Sequence, residues 1–237
     1  MNANELASYI DLTLLNPTAA YTDIKNIIED SLKYPFASLC IPPFYVSLAA
    51  DTVKYKRRIG TVIGFPLGYQ TKKVKIYEAA DAVKSGADEL DVVMNISAFK
   101  SGQYKLVRDE ISSIVLANPS ATVKVIIETS CLIDAEKIKA CAIVIESGAH
   151  FVKTSTGFSA GGATIDDIKL LKKAADGKIQ INPHTKGFGV GVKASGGIKD
   201  LDTVIRMINA GASRIGTSSG IKIIEEFLKR ICPKQGI

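Results

Sequence analysis

The 237-residue chain has two histidines, His150 and His184, and no cluster of His, Cys and carboxylate residues at ligand spacing. A zinc-dependent enzyme ordinarily needs such a cluster, so a metal site is not expected. Of the four cysteines, Cys40, Cys131, Cys141 and Cys232, none forms a C-x-x-C pair. Met1 leads into a polar, helix-like segment at 2–8, which is not the pattern of a signal peptide. No apolar run reaches the length of a membrane span. The expectation is a cytoplasmic protein with reduced thiols and no membrane partner. The chain also lacks a basic run with interleaved aromatics. Its net charge of +6, from 30 basic and 24 acidic residues, is spread along the sequence. Nucleic-acid binding is therefore not expected, whereas a mild attraction for anionic metabolites is. The first βα turn has no G-x-G-x-x-G, there is no Walker loop, and the Gly-rich run from Gly157 to Gly162 has the wrong spacing for a dinucleotide fingerprint.

What is present is a regular alternation. Short apolar segments rich in Val and Ile at 9–15, 36–41, 59–65, 89–95, 123–128, 151–155, 189–195 and 214–217 read as strands. Helical periodicity runs through 21–32, 74–85, 106–116, 135–146, 164–175, 201–209 and 221–230. Thr164 and Asp167 have the spacing of an N-cap and an acidic third position. Ser85-Gly86-Ala87, Ser147-Gly148-Ala149 and Ala210-Gly211-Ala212 each place a glycine where a helix can stop. Eight β units alternating with helices in one domain over 1–237 predict an α/β fold, a (β/α)8 TIM barrel. The alternative is an open, doubly wound sheet.

Strand side chains alternate between faces. If Leu90, Val92 and Met94 meet the helices, Asp91 points into the barrel. The same parity sends Asp11, Cys40, Lys124, Glu128, Lys153, Ser155 and Lys193 inward. Lys124 reads as a structural partner of Glu89 or Glu128, because an unpaired buried charge is costly, and Cys40 reads as a core filler. Lys153 and Lys193 differ from these. Each stands late in its strand before a Gly-containing loop, at the end where barrel active sites form, and two merely structural lysines there would repel each other. The loops Ser195-Gly196-Gly197-Ile198 and Gly216-Thr217-Ser218-Ser219-Gly220 follow the seventh and eighth strands. Bare N–H groups and a helix N-terminus in those positions suit a phosphate; ordinary turns are the plainer account.

The run Val152-Lys153-Thr154-Ser155-Thr156-Gly157 resembles the Schiff-base strand of the deoxyribose-phosphate aldolase family. Val192-Lys193-Ala194-Ser195-Gly196-Gly197 is similar to that family's second lysine strand, and Glu89-Leu90-Asp91-Val92-Val93 to its aspartate strand. Ile10-Asp11-Leu12-Thr13, Val125-Ile126-Ile127-Glu128-Thr129 and Gly216-Thr217-Ser218-Ser219 match as well, so the resemblance spans positions 10 to 219. It implies a barrel without metal or cofactor. The implied activity is reversible aldol cleavage of 2-deoxy-D-ribose 5-phosphate to acetaldehyde and D-glyceraldehyde 3-phosphate through a lysine Schiff base, a step of deoxyribonucleotide catabolism. The expected catalytic residues are Lys153, Lys193, Asp91 and Asp11. The expected substrate- and phosphate-binding residues are Thr156, Gly157, Ser195, Gly196, Gly197, Gly216, Ser218 and Ser219. The only partner expected is the phosphorylated sugar, and a homodimer or homotetramer is compatible with this.

Two segments depart from the family pattern. Residues 176–188 form a longer connection than usual, expected at the face opposite the chemistry with His184 catalytically silent. Residues 229–237 hold no tyrosine of the kind that reaches the site in some members.

An amine attacks a carbonyl only when unprotonated, and free lysine titrates near 10.4. A cation about 4 Å away at an effective dielectric near 20 opposes protonation by about 4 kcal/mol, which lowers the pKa by about 3. That role falls to Lys193, leaving Lys153 as nucleophile, Asp91 as acid–base through water, and Asp11 to orient the network. A transaldolase-like enzyme or a sugar-phosphate isomerase is the competing enzyme class, separable by borohydride trapping and substrate choice. A barrel that merely holds a sugar phosphate would leave the two convergent lysines unexplained.

Overall fold

The computed structural model describes residues 1–177 and 190–231. Eight parallel strands close into one barrel in sequence order: β1 (Ile10–Thr13), β2 (Ser38–Cys40), β3 (Ile59–Ile63), β4 (Glu89–Val93), β5 (Thr122–Ile126), β6 (Phe151–Lys153), β7 (Gly191–Ser195) and β8 (Arg214–Thr217). Closure is made by β1 pairing with β8 in the register Ile10↔Ile215, Asp11↔Gly216, Leu12↔Thr217, which excludes the open sheet. Outside lie α2 (Tyr21–Asp30), α3 (Val46–Val53), α4 (Lys72–Lys84), α6 (Tyr104–Ala117), α7 (Asp134–Glu146), α8 (Ile165–Ala175), α9 (Leu201–Asn209) and α10 (Gly220–Ile231). Two shorter helices, α1 (Ala3–Ser8) and α5 (Ile96–Lys100), complete the described set. None of the described helices is long and apolar enough to cross a membrane.

The alternation along each strand sorts the core into two parts. Leu12, Leu39, Ile41, Leu90, Val92, Val123, Val125, Val152, Val192, Ala194 and Ile215 belong to the apolar layer between barrel and helices. Each such side chain contributes roughly 1.5–3 kcal/mol when buried. Residues of the other parity are equally buried yet lie outside that layer: Asp11, Cys40, Asp91, Lys124, Lys153 and Lys193. The local signals also hold. Thr164 accepts the Asp167 N–H at 3.0 Å and caps α8. Gly86, Gly148 and Gly211 all have positive φ after their helices.

Two helices escape the sequence pattern. At α3, eight residues beginning just after Pro42 and Pro43 give too few turns for a clear period. At α5, the five-residue helix is set by Asn95, whose side chain accepts the Ala98 N–H at 3.0 Å. Most of the segment 176–188, with His184, and the tail 232–237 lie outside the described residues.

Candidate active site

The barrel interior is polar because three carboxylates and four cations meet there. Lys153 on β6 and Lys193 on β7 are register partners. Both donate to the same oxygen, Asp91 Oδ2, at 2.7 Å. Lys193 Nζ lies 2.5 Å from Asp11 Oδ2. Lys124 Nζ sits 2.5 Å from Glu89 Oε2, 3.0 Å from Asp91 Oδ1 and 3.5 Å from Asp11 Oδ2. Glu89, and not Glu128, is thus the partner of Lys124. Arg214, at the start of β8, donates to Asp11 Oδ1 at 2.5 Å and reaches Glu89 at 3.4 Å. It also lies over the Phe151 ring. No sequence motif singles out Arg214; only its register opposite Lys193 brings it into the network.

Asp11, Glu89 and Asp91 are set against Lys124, Lys153, Lys193 and Arg214, so the cluster is balanced when one of its amines is neutral. Among the three lysines, Lys153 is the one whose pKa is lowered. Burial is the leading cause that pushes Lys153 below the usual lysine range; Asp91 opposes it, and the Lys193 charge adds to the lowering. The charge of Lys193 is therefore a secondary cause, where sequence reasoning makes it the main one. Burial also disfavours the charged form of Lys193, but Asp11 and Asp91 outweigh it and raise its pKa. Lys124 is raised in the same way, burial being overcome by Asp11, Asp91 and Glu89. Burial works against ionised Asp91, yet Lys124, Lys153 and Lys193 together hold its carboxyl well below the ordinary range. Asp11 is likewise lowered against its burial by Lys124, Lys193 and Arg214. Burial and the Asp91 charge push the Cys40 thiol up to about 11, so it stays protonated at neutral pH.

Above this cluster opens a cavity of about 410 Å³ whose lining includes Thr13, Asn16, Thr156, Gly157, Phe158 and Lys153. Lys153 is the one member of the ion cluster in that lining. The opposite wall is built by Ser195, Gly196, Gly197, Ile198 and Lys199 after β7, and by Gly216, Thr217 and Ser218 from β8 and the turn after it. Gly197 has φ +78°, and an added Cβ would meet nothing within 4 Å. Among the described residues, the backbone N–H groups of Gly197 and Ser218 make no hydrogen bond to another backbone group. Helix α10 starts two residues beyond Ser218. Free N–H groups, a helix N-terminus and the exposed Lys199 together suit an anion. Asn16, Phe158 and Lys199 also line the cavity without having been legible as site residues, since each stands in a loop whose course depends on the fold.

Two of the expected phosphate residues are otherwise engaged. The Ser195 hydroxyl donates to the Ser155 carbonyl at 2.6 Å. Ser219 lies outside the cavity lining, and its N–H donates to Thr217 Oγ1 at 2.9 Å. Thr217 Oγ1 donates in turn to the Ile198 carbonyl at 2.6 Å, so the two loops are tied together. At Gly216 an added Cβ would come within 3.1 Å of Lys193 Cε and 3.0 Å of Ser195 Cβ, so a glycine here makes room for the second lysine. Among the described residues no group of three His, Cys, Asp or Glu side chains is placed to hold a metal ion.

Comparison with known proteins bears on the family and the fold. The family model described as DeoC/LacD family aldolase matches residues 6–226. A deoxyribose-phosphate aldolase of Caldanaerobacter subterraneus subsp. tengcongensis is 49% identical over 229 residues, covering 95% of this chain and 94% of that relative. One from Thermococcus kodakarensis is 45% identical over 230 residues, covering 95% and 98%. Among solved structures, the deoxyribose phosphate aldolase of Aeropyrum pernix, described as a unique tetramer, superposes with a TM-score of 0.86 at 34% identity, covering 97% of this chain and 93% of that one.

Proposed function

The chain belongs to the DeoC/LacD family of aldolases, and on that premise we propose that it cleaves 2-deoxy-D-ribose 5-phosphate reversibly to acetaldehyde and D-glyceraldehyde 3-phosphate, with Lys153 as the Schiff-base amine. The observation that carries the assignment is that Lys153 alone combines contact with the cavity and a lowered pKa, while Lys124 and Lys193 beneath it are raised.

Neutral Lys153 adds to the C1 aldehyde of the open-chain sugar, and loss of water gives an iminium. The two-carbon product fixes the bond that breaks as C2–C3. Its electron pair moves into the iminium to form an enamine while the C3 hydroxyl gives up its proton and becomes the aldehyde of glyceraldehyde 3-phosphate. Protonation of the enamine at C2, then hydrolysis, frees acetaldehyde and returns the amine. Asp91 contacts both lysines but not the cavity, so it serves the proton steps through Lys153, Lys193 or a water molecule. Held so acidic, it is a relay rather than a store of protons. Asp11, 2.5 Å from Lys193 Nζ, holds that amine together with Asp91. The loops after β7 and β8 take the phosphate, which anchors C5 and brings C1 to Lys153. In metabolic terms the reaction serves breakdown of deoxyribonucleotides.

Borohydride added during turnover of 2-deoxyribose 5-phosphate tests the reading. A reduced adduct on the peptide carrying Lys153 is expected. An adduct on Lys193, or turnover with no adduct, sinks it.

A further inference from the structure

We propose that Glu128 is a positioning residue whose carboxylate holds the segment from Thr156 to Phe158 as a lip over Lys153, so that the long phosphorylated substrate is seated while the amine itself is untouched. This rests on the reading of Lys153 as the Schiff-base residue.

The first observation is backbone conformation. Glu128 stands just beyond β5 with φ 53° and ψ 72°, a left-handed region that L side chains rarely adopt. Such a residue persists where its surroundings over-determine it, and these places cluster at functional sites. The second is burial: Glu128 is 1% exposed. Among the described residues no lysine or arginine pairs with it. Instead its Oε2 accepts the Thr156 N–H at 3.2 Å and the Thr156 hydroxyl at 2.5 Å. A buried carboxylate held by neutral donors is an expensive way to fasten two strands, and the strands are already fastened here by backbone bonds from Ile127 to Lys153 and from Thr129 to Thr154.

The third observation is where the bond leads. With its proton directed at Glu128, Thr156 Oγ1 accepts the Phe158 N–H at 3.1 Å. Phe158 then meets the Phe65 ring edge-on, with centroids 5.2 Å apart. Between them Gly157 turns at φ +84°, close against Gly196 of the opposite wall. Thr156, Gly157 and Phe158 all line the cavity above Lys153. One carboxylate just after β5 therefore sets a three-residue segment after β6. The left-handed turn allows this, because it swings the chain outward into the next loop while the side chain stays directed toward the neighbouring strand. The other carboxylate oxygen, Oε1, is buried without a hydrogen-bond partner among the described residues, so an amide nitrogen in its place would break no bond.

Glu128→Gly keeps the backbone conformation at no steric cost and deletes the carboxylate; Glu128→Gln keeps an acceptor for Thr156. Two readouts separate lip from amine: kcat and KM for 2-deoxyribose 5-phosphate, and the rate of borohydride-trapped adduct at Lys153 with acetaldehyde alone, a molecule too small to need the lip. Glu128→Gly is expected to lower kcat/KM for the sugar phosphate about tenfold or more, mainly through KM, with acetaldehyde trapping within about twofold of wild type. Glu128→Gln is expected to recover to within about threefold. Should Glu128→Gly not fold, Glu128→Asn is used with the same expectations, since asparagine tolerates the left-handed region and is too short to reach Thr156. Parallel loss of acetaldehyde trapping overturns the proposal, as does unchanged kcat/KM or a Gln variant as impaired as Gly. If the wild-type protein itself traps no acetaldehyde, the underlying Schiff-base reading falls, and this role with it.

Discussion

Lys153 and Lys193 stand opposite each other on adjacent strands, and each gives a hydrogen bond of 2.7 Å to the same oxygen of Asp91. One carboxylate therefore sits between two amines whose pKa values move apart, Lys153 down and Lys193 up. The difference comes from what else each touches. Lys193 has Asp11 as a second anion at 2.5 Å, and among the described residues Lys153 has none. Four consequences are open to measurement.

Replacing Lys193 by Met keeps volume and removes the charge. Lys153 then shares Asp91 with Lys124 only and loses a neighbouring cation, so its pKa rises. Activity at pH 7 is expected to fall about 10²–10³-fold, the scale seen when a preorganised polar group leaves an active site. The pH profile of what remains is expected to shift to higher pH. An unshifted profile would show that Lys193 does not act on Lys153 by charge.

Asp91→Asn leaves three buried lysines with fewer counter-charges. Removing one partner of a buried pair costs about 3–5 kcal/mol, which a lower urea midpoint at pH 7 would register. The sign of the pH effect follows from the lowered carboxyls of Asp11 and Asp91. Their stabilisation is complete above the roughly 3.9 of an unfolded aspartate. It is lost as pH falls from there through the lower folded values. The wild-type midpoint should thus drop between about pH 5 and 2, and Asp91→Asn should drop less over the same window. Equal slopes would remove Asp91 from the account.

Gly197→Val introduces a side chain at φ +78° where space is open but the backbone conformation is not available to it. The loop must shift, and with it the free N–H groups. KM for the phosphorylated sugar is expected to rise about tenfold or more, about 1.4 kcal/mol of binding, with a much smaller change for unphosphorylated deoxyribose. Equal losses on both substrates would refute an anion-specific loop.

Gly216→Ala adds a methyl 3.1 Å from Lys193 Cε and 3.0 Å from Ser195 Cβ. Overpacking of this kind costs about 1–3 kcal/mol. The lysine end can yield, so the expected result is a lowered kcat with KM changed less than in Gly197→Val. A rise in KM alone would mean that the glycine serves the phosphate loop and not Lys193.

Much of this is legible in the sequence. The period-two alternation separated Leu90 and Val92 from Asp91, and Val152 from Lys153, because a strand side chain can face only one of two ways. The same rule placed Asp11, Cys40, Lys124 and Lys193 inside. The Gly-rich segments after β7 and β8 form one wall of the cavity above Lys153, the wall proposed to take the phosphate. These signals are local, and local chemistry decides them.

Other features depended on closure of the barrel. Arg214 is one basic residue among 30 in the sequence, and it becomes part of the site because β8 pairs with both β7 and β1, which brings it to Asp11. The choice between the two lysines was also tertiary. Both lie at the same height on neighbouring strands, so spacing cannot rank them; Asp11 lies beside only one, and burial depresses the other. The contact of Glu128 with Thr156 exists only because the β6 loop comes across to meet it. The sequence by itself determined which residues face inward, because that follows from backbone geometry one strand at a time. Which of those residues meet, and so which amine is the easier to deprotonate, was decided by the register among eight strands, because Coulombic and burial energies depend on distances between residues far apart in the chain.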